Sequence, residues 1–445
     1  MDETEIKPNA ILIKNATLLT MNPQREIYGG DLLIEGDTIT EMGHLNLRAE
    51  TEIDASDLVA MPGFIQTHIH LCQTLFRNLA DDVELNDWLQ TKIWPLEAAH
   101  DEDSISLSAL LGIAELFKGG TTTILDMATV RLTEFIFSVA QATGIRAIVG
   151  KTLMDTGKGV PNELVESTEK AIRDSLILFD EWHGAENGRL QYAFAPRFLL
   201  SCSNDLLHEI KSFSRERNIL IHTHAAETKQ EIEYIHWKTG SGYIEYLCNL
   251  GLTSPRLCLA HCVWLTNDEI DILQRTETKV LHCPSSNLKL ASGIAPIPEM
   301  LSKDIVVSLG ADGAPCNNNL DIFMEMRLAA YIQKYSLKNA RALPAQKIVE
   351  MSTIDGARAL GLSEQIGSLE IGKKADVILV DLKRIHNLPA QNIYSQLVYS
   401  TKSEDVRTVI IDGKIVMRDR ELLTISEDEI LQICQEEAMR ILQKI

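Results

Sequence analysis

The chain has 445 residues, which is long enough to bury a sizeable core and to form more than one domain. Its 63 acidic and 42 basic residues give a formal net charge of −21, which repels nucleic acid and anionic membranes, so neither is expected as a partner. The acidic start Met1–Glu5 lacks the features of a signal peptide, no apolar run reaches the length of a membrane span, and the eight cysteines show no paired spacing. We therefore expect a cytoplasmic protein with reduced thiols.

Short β-rich runs occur at both ends of the chain. Residues 11–61 contain Ile11-Leu12-Ile13 and Leu32-Leu33-Ile34, broken by polar and glycine residues, and residues 366–417 contain 375–380 and 406–411 before the turn Asp412-Gly413. Two such groups on either side of a long middle can close into one domain. The sequence predicts a small β-sandwich domain built from residues 1–61 and 366–445, the second part also carrying a terminal helix.

The middle of the chain, residues 62–365, alternates short β-branched apolar runs with amphipathic helical stretches, which is the pattern of repeated βα units. Eight candidate strands can be counted, and eight is the number that closes a parallel barrel. They are residues 64–70, 121–127, 144–153, 191–197, 218–225, 256–264, 278–286 and 305–312. The fold prediction is therefore α/β, a (β/α)8 TIM-type barrel with the small β domain attached.

Residues that can bind a metal fall at the ends of these strands. His68 and His70 end the first run, and a His-x-His pair on a strand points both imidazoles to the same face. The others are His222, His224 and, three residues later, Glu227 after the fifth run, His261 on the sixth, His282 on the seventh and Asp312 on the eighth. A single histidine in such a place is more often structural, but the carboxyl ends of barrel strands converge on one mouth, and the set as a whole indicates a site.

The pattern predicts one divalent metal ion held by His68, His70, His224 and Asp312, with zinc preferred over iron or manganese. Such an ion makes hydroxide available from bound water near pH 7. Glu227 would carry the proton of that water to a ring nitrogen, His261 would orient the attacking oxygen, and Asp312 would take the second proton. No lysine that would bridge two metals is evident, which favours a single ion. A lysine on the third or fourth strand, such as Lys151, could approach the centre, but we expect Lys151 to be an ordinary surface or barrel-rim residue.

The segments Pro62–His70, His224–Glu227, Ala260–Cys262, Cys283–Asn287 and Gly310–Gly313 together resemble the amidohydrolase superfamily, specifically its mononuclear deaminase and triazine-hydrolase branch. The resemblance extends to the tail 366–376, which in that family returns the chain to the small β domain. It implies hydrolysis of a substituent on a nitrogen heterocycle. A cytidine-deaminase type of zinc site is excluded, because Pro315-Cys316 is not followed by the second cysteine of that motif.

Within this branch, Trp88-Leu89 and 93–97 resemble the 5'-methylthioadenosine/S-adenosylhomocysteine and 5'-deoxyadenosine deaminases, in which the residue matching Glu97 binds ribose hydroxyls. Those enzymes typically have a histidine where this chain has Arg197. Gln73 and Arg197 are similar instead to guanine deaminases, where such residues hold the base. The resemblance thus implies substrate binding by Gln73, Glu97 and Arg197, to which we add His282 from its strand position.

We expect a metal-dependent hydrolytic deaminase of a small heterocyclic substrate, the adenine ring of 5'-deoxyadenosine, 5'-methylthioadenosine or S-adenosylhomocysteine, with ammonia released. The alternatives are a guanine, other oxopurine or pterin deaminase, and an s-triazine aminohydrolase or chlorohydrolase. An inactive barrel that serves as a scaffold is the alternative outside enzymology. The family resemblance also implies a homo-oligomer.

Overall fold

The computed structural model describes residues 6–445 and contains two sheets of nine strands each. The start Met1–Glu5, used above to argue against a signal peptide, lies outside the described residues. The strands before the barrel are β1 Ile6–Leu19, β2 Ile27–Glu35, β3 Thr38–Gly43, β4 Arg48–Asp54 and β5 Leu58–Pro62. Those of the barrel are β6 Phe64–His70, β7 Thr121–Met127, β8 Arg146–Leu153, β9 Leu190–Pro196, β10 Ile221–Ala225, β11 Leu257–His261, β12 Lys279–His282, β13 Val307–Leu309 and β14 Asp312–Gly313. Those after it are β15 Val377–Asp381, β16 Val406–Ile411, β17 Lys414–Arg418 and β18 Glu421–Leu422.

The helices lie mainly between the barrel strands. In chain order they are α1 Leu85–Trp88, α2 Trp94–Ala98, α3 Glu102–Lys118, α4 Thr133–Thr143, α5 Thr168–Trp182, α6 Ala185–Gly188, α7 Asn204–Arg217, α8 Lys229–Thr239, α9 Tyr243–Asn249, α10 Asn267–Thr276, α11 Pro284–Lys289, α12 Ile297–Ser302, α13 Ala314–Asn317, α14 Ile322–Ser336, α15 Ala345–Met351, α16 Ile354–Ala359, α17 Ile393–Tyr399 and α18 Glu427–Leu442. Short 3-10 helices cover Leu71–Phe76, Asn162–Leu164, Ile385–Asn387 and Ser403–Asp405, and a π-helix covers Leu89–Ile93. Within residues 6–445, no helix combines the length and the apolar character that crossing a membrane needs.

The barrel sheet is parallel throughout, in the order β13-β12-β11-β10-β9-β8-β7-β6-β14. Its first and last members, β13 and β14, are two pieces of one segment, so this eighth chain segment closes the ring against β6. Gly310, between the two pieces, makes this approach feasible, because a Cβ there would lie 2.6 Å from the carbonyl oxygen of His68. The predicted barrel of eight strand segments is confirmed.

Strands from both chain ends form the second sheet, as predicted. The order is β18-β17-β16-β15-β5-β1-β2-β3, with β4 paired to β1, and β15 runs antiparallel to β5. A buried ion cluster joins this sheet to the barrel: Arg146 on β8 donates to both carboxylate oxygens of Asp376, at 2.7 and 3.0 Å, and to Asp412 at 2.9 Å. The boundaries 1–61, 62–365 and 366–445 remain our proposal for the domain limits.

Some predicted strands end earlier than the sequence suggested. The seventh was predicted over 278–286, but β12 stops at His282 and α11 begins at Pro284. Proline is favoured at the first position of a helix because its missing N–H has no helical partner there in any case. The run Pro284-Ser285-Ser286-Asn287 therefore lies on a helix above the strand end and turns its side chains toward the barrel mouth.

Candidate active site

Four predicted metal-ligating side chains meet at the mouth of the barrel. His68 and His70 lie on β6, His224 on β10 and Asp312 on β14, and each offers one ligand atom within 4.8 Å of the others. Nε2 of His70 lies 3.3 Å from Nε2 of His224, and Nε2 of both His68 and His70 lies 3.3 Å from Oδ1 of Asp312. The structure therefore brings the four together on strands that are distant in sequence.

The donor set has the chemistry of a divalent-metal site. Burial lowers the pKa of His68 to about 4 and that of His224 well below its ordinary value, so both imidazoles are neutral, the form that binds metal. Nε2 of His68 has no hydrogen-bond partner among the described residues, although it is buried. Three imidazoles and one carboxylate fit a borderline divalent ion such as zinc.

The outer nitrogen of each histidine is fixed by a second group. Nδ1 of His70 lies 2.8 Å from the carbonyl oxygen of Met127, and Nδ1 of His224 lies 2.8 Å from that of Arg197. A carbonyl only accepts, so each Nδ1 carries the proton and each Nε2 turns a lone pair toward the centre. Nδ1 of His68 meets Nε2 of His222 at 2.7 Å. His222 therefore supports a ligand, a role that the sequence reading did not assign to it.

Glu227 and His261 stand beside this cluster. Oε2 of Glu227 lies 3.6 Å from Nε2 of His261, which is 3.9 Å from Oδ2 of Asp312. Burial raises the pKa of Glu227. Burial alone would lower the pKa of His261, but the carboxylates of Glu227 and Asp312 raise it overall. Both groups therefore lie where they can exchange protons with a molecule bound beside the cluster, and the pKa of each is shifted upward.

Three further side chains that the sequence reading missed hold these groups. Ser292 donates to Oε1 of Glu227 at 3.2 Å, Ser286 donates to Oδ2 of Asp312 at 2.7 Å, and the side-chain oxygen of Asn287 lies 2.9 Å from Nδ1 of His261. Ser286 and Asn287 belong to the quoted segment 283–287, so the motif itself was the signal. Ser292 had no signal beyond its place in the following loop.

The backbone is strained where the site is built. Ala226, His261 and Asp312 have φ values of 53°, 72° and 64°, in the left-handed region that residues with a Cβ avoid. Such conformations cost about 1–3 kcal/mol each and persist only where the surroundings enforce them. At His261 and Asp312 this backbone conformation therefore falls on two of the side chains that make up the candidate site.

A cavity of about 270 Å³ opens above the cluster. The polar lining of this cavity includes His70, His224, Asp312, Glu227, His261, Gln73 and Arg197. Its apolar wall includes Leu85, Trp88, Leu89, Phe198, Leu200 and Leu290. An apolar pocket with a few convergent polar groups is typical of a small-molecule binding site.

Glu97 does not line this cavity. It is 2% exposed, and its carboxylate accepts from Nη1 and Nη2 of Arg197, at 2.6 and 3.1 Å, and from Nε2 of Gln73 at 2.8 Å. The structure thus places Glu97 behind Gln73 and Arg197, which do line the cavity. The amide of Gln73 is oriented by this contact, because a carboxylate can only accept its N–H.

Two other residues considered from the sequence lie away from the cavity. His282 is 1% exposed, lacks a hydrogen-bond partner on either nitrogen within the described chain, and has a pKa lowered to about 3 by burial. Lys151 is not the surface or rim residue that we expected: it is 3% exposed and its ammonium pairs with Glu166. Its charge is already neutralised, and it takes no part in the four-residue cluster.

Comparison with known proteins gives a consistent result. The profile of the Amidohydrolase family matches residues 59–416. A 5'-deoxyadenosine deaminase of Methanobrevibacter smithii is 41% identical over 95% of this chain and 96% of its own length. A 5-methylthioadenosine/S-adenosylhomocysteine deaminase of Thermoanaerobacter pseudethanolicus is 37% identical over 98% of this chain and 100% of its own. The crystal structure of an adenosine deaminase from Xanthomonas campestris with bound zinc superimposes with a TM-score of 0.93, at 29% identity, over 99% of this chain and 100% of the other.

Proposed function

The chain belongs to the amidohydrolase family, and we propose that it is a metal-dependent deaminase that hydrolyses the exocyclic C–N bond of an adenine-type nucleoside. The observation that carries this proposal is the meeting of His68, His70, His224 and Asp312 beside Glu227 and His261 in one cavity. The products would be the inosine analogue and ammonia. An inactive scaffold does not account for four metal-capable side chains that meet with Glu227 and His261 in one cavity.

His68, His70, His224 and Asp312 would hold the ion, with zinc as the first candidate. When bound, a divalent ion of this kind supplies an activated water for attack on the ring carbon. The identity of the ion remains a prediction. The homo-oligomeric state and the cytoplasmic location of the protein also remain predictions.

We assign the proton transfers to three side chains. Glu227 takes a proton from the attacking water and delivers it to the ring nitrogen beside the reacting carbon, and Ser292 holds its carboxylate. His261, fixed by Asn287, hydrogen-bonds the attacking oxygen. Asp312 accepts the second proton of the water through the carboxylate that Ser286 orients, and that proton then goes to the leaving nitrogen as the C–N bond breaks.

The proposed substrate range follows from the relatives and from the cavity. The relatives named above act, by their names, on 5'-deoxyadenosine, 5-methylthioadenosine or S-adenosylhomocysteine. Arg197 offers only donors to the cavity, which matches the acceptor nitrogens of an adenine ring. Glu97, which the family resemblance linked to ribose, would act through Arg197 and Gln73 by holding both in place.

A guanine-type ring remains the second candidate, because Gln73 and Arg197, which resemble the residues that hold the base in guanine deaminases, together line the cavity. An ammonia-release assay distinguishes the two. The panel contains adenosine, 5'-deoxyadenosine, methylthioadenosine, S-adenosylhomocysteine, guanine, isoxanthopterin and amino-triazines. We expect the adenosine-type nucleosides to have the highest kcat/KM, and turnover of guanine or a triazine alone would overturn the proposal.

A further inference from the structure

A buried acid lies behind the candidate active site and takes no part in the proton transfers assigned above. Glu325 is on the first turn of α14, is 0% exposed and does not line the cavity. Burying a carboxyl group is costly unless the group is hydrogen-bonded, so its partners show what it holds. Both oxygens of Glu325 hydrogen-bond to one residue, Ser285.

Glu325 holds the start of α11. Its Oε2 accepts from the backbone N–H of Ser285 at 3.1 Å, and its Oε1 is hydrogen-bonded to the hydroxyl of the same residue. Ser285 is the second residue of α11, where backbone N–H groups have no partner inside the helix. The carboxyl therefore fixes both the backbone and the side chain at the first turn of α11.

Helix α11 carries two side chains that orient groups of the site. Ser286 donates to Oδ2 of Asp312 at 2.7 Å, and the side-chain oxygen of Asn287 lies 2.9 Å from Nδ1 of His261. The helix has only six residues, and both contacts come from its first four. A shift of its first turn would therefore displace both contacts at once.

A second connection runs from Ser285 to the backbone beside Asp312. Nδ2 of Asn317 donates to Oγ of Ser285 at 2.9 Å and also to the carbonyl oxygen of Ala311. Ala311 precedes Asp312, whose φ of 64° lies in the left-handed region that residues with a Cβ avoid. Ser285 thus links the buried acid both to the carboxylate of Asp312 and to the peptide that precedes it.

We propose that Glu325 is a positioning residue, which acts through Ser285 to set the orientation of Asp312 and His261 together. For the reaction, this inference rests on the proposed function. Gln73 and Arg197 are held by Glu97 and have no hydrogen bond to Ser285 among residues 6–445. Loss of Glu325 should therefore lower kcat and leave KM nearly unchanged.

Two replacements of Glu325 separate its hydrogen bonds from its volume. Burial raises the pKa of Glu325 to about 8, so its carboxyl carries a proton at neutral pH. Glu325→Gln keeps an oxygen that can accept from the N–H of Ser285 and an NH2 that can donate to its hydroxyl, and it should retain kcat at pH 7. Glu325→Leu keeps the volume without a polar atom and should lower kcat about 10–100-fold. The assay is ammonia release from 5'-deoxyadenosine by the zinc-loaded protein.

A milder variant tests the same connection if Glu325→Leu does not fold. Ser285→Ala removes the hydroxyl that joins Glu325 to Asn317 but keeps the backbone N–H. It should lower kcat about fivefold, which corresponds to one hydrogen bond. An unchanged kcat in Ser285→Ala would overturn the inference.

Zinc affinity gives a readout that does not depend on turnover. In competition with a chelator, Glu325→Leu should bind zinc about tenfold more weakly, because Asp312 is one of the candidate ligands, and Glu325→Gln should bind it like the wild type. The control is Asp405→Leu. Asp405 is 1% exposed and also accepts from a backbone N–H, that of Lys402 at 2.9 Å, but it lies outside the cavity lining and the four-residue cluster. This control should lower stability without changing kcat or zinc affinity.

A double variant tests whether Glu325 acts through α11. If it does, adding Ser286→Ala to Glu325→Leu should lower kcat little further than the more harmful single change. Losses that multiply in the double variant would mean that the two residues act independently, and they would overturn the inference.

Three other results would also overturn it. If Glu325→Leu lowers the melting temperature but keeps wild-type kcat and zinc affinity, Glu325 has only a structural role. If Asp405→Leu lowers kcat as much as Glu325→Leu does, the loss reflects general destabilisation. If Glu325→Gln is as impaired as Glu325→Leu, the hydrogen bonds to Ser285 are not what matters. If the wild type turns over none of the nucleosides, the proposed function fails, and zinc affinity alone then decides whether Glu325 positions Asp312.

Discussion

The ion pair between Glu97 and Arg197 allows a test of whether Glu97 holds Arg197 in the wall of the cavity. Both side chains are buried, and they form two hydrogen bonds with each other. Removing one partner of a buried ion pair leaves an uncompensated charge and costs about 3–5 kcal/mol. Glu97→Gln should therefore reduce the free energy of unfolding by about this amount.

The corresponding shift in melting temperature follows from the size of the chain. The entropy of unfolding is about 2.1 cal/mol/K per residue. A loss of about 3–5 kcal/mol should therefore lower the melting temperature of a cooperative unit of 445 residues by roughly 3–5 °C. Arg197→Met should cost a similar amount, because the carboxylate of Glu97 would keep only Gln73. The double variant should recover much of the loss, since neither charge is then left buried alone.

Calorimetry or denaturant unfolding of the four proteins measures this cycle. A coupling free energy of at least about 2 kcal/mol between the two sites is expected. Additive losses would refute the reasoning, because they would mean that the two side chains act independently. Kinetics adds a second criterion: if Glu97 acts through Gln73 and Arg197, its replacement harms a nucleoside and its free base alike, whereas a direct ribose contact predicts greater harm to the nucleoside.

Three other predictions concern the proton carrier, a support of a ligand and a buried acid. Glu227→Gln should retain metal but lower kcat by a factor of about 10²–10⁴. It should also remove the acid limb of the wild-type pH profile. That limb lies above the ordinary pKa of glutamate, because burial raises the pKa of Glu227. His222→Phe should weaken metal binding about 10–100-fold in a chelator competition, because His68 loses its partner. Burial raises the pKa of Glu325 to about 8, so its contribution to stability is complete below the unfolded value near 4.5 and is lost as the pH rises through 8. Glu325→Gln should flatten this loss in unfolding experiments between pH 5 and 9, and an unchanged pH dependence would exclude Glu325 as its source.

The convergence of the four candidate metal ligands could be predicted because strand geometry is local. A His-x-His pair on a strand points both rings the same way whatever surrounds it, and the carboxyl ends of parallel barrel strands share one mouth. The segment that closes the barrel was also visible, since Gly310 and Asp312 lie in one apolar run. Its division into β13 and β14 was not, because it depends on the approach to His68.

The contacts of the candidate substrate-binding residues were harder to predict because they depend on long-range packing. Glu97 lies 100 residues from Arg197 in the sequence, and no local sequence pattern indicates that the carboxylate of Glu97 accepts hydrogen bonds from the guanidinium of Arg197. His282 follows the same strand-end pattern as the metal ligands, yet it does not line the cavity. Packing against neighbouring residues decides whether the side chain of a strand residue faces the centre of the barrel or the outside. The sequence pattern alone does not determine this.

Metal analysis of the purified protein tests the central claim most directly. The account predicts about one equivalent of a divalent transition metal per chain in the wild type, bound by four protein ligands. His70→Ala and Asp312→Ala should lose this metal, whereas His282→Ala, a buried histidine outside the cluster, should keep it. A wild-type protein with almost no bound metal and no gain on adding zinc would contradict the account, as would equal metal content in all four proteins.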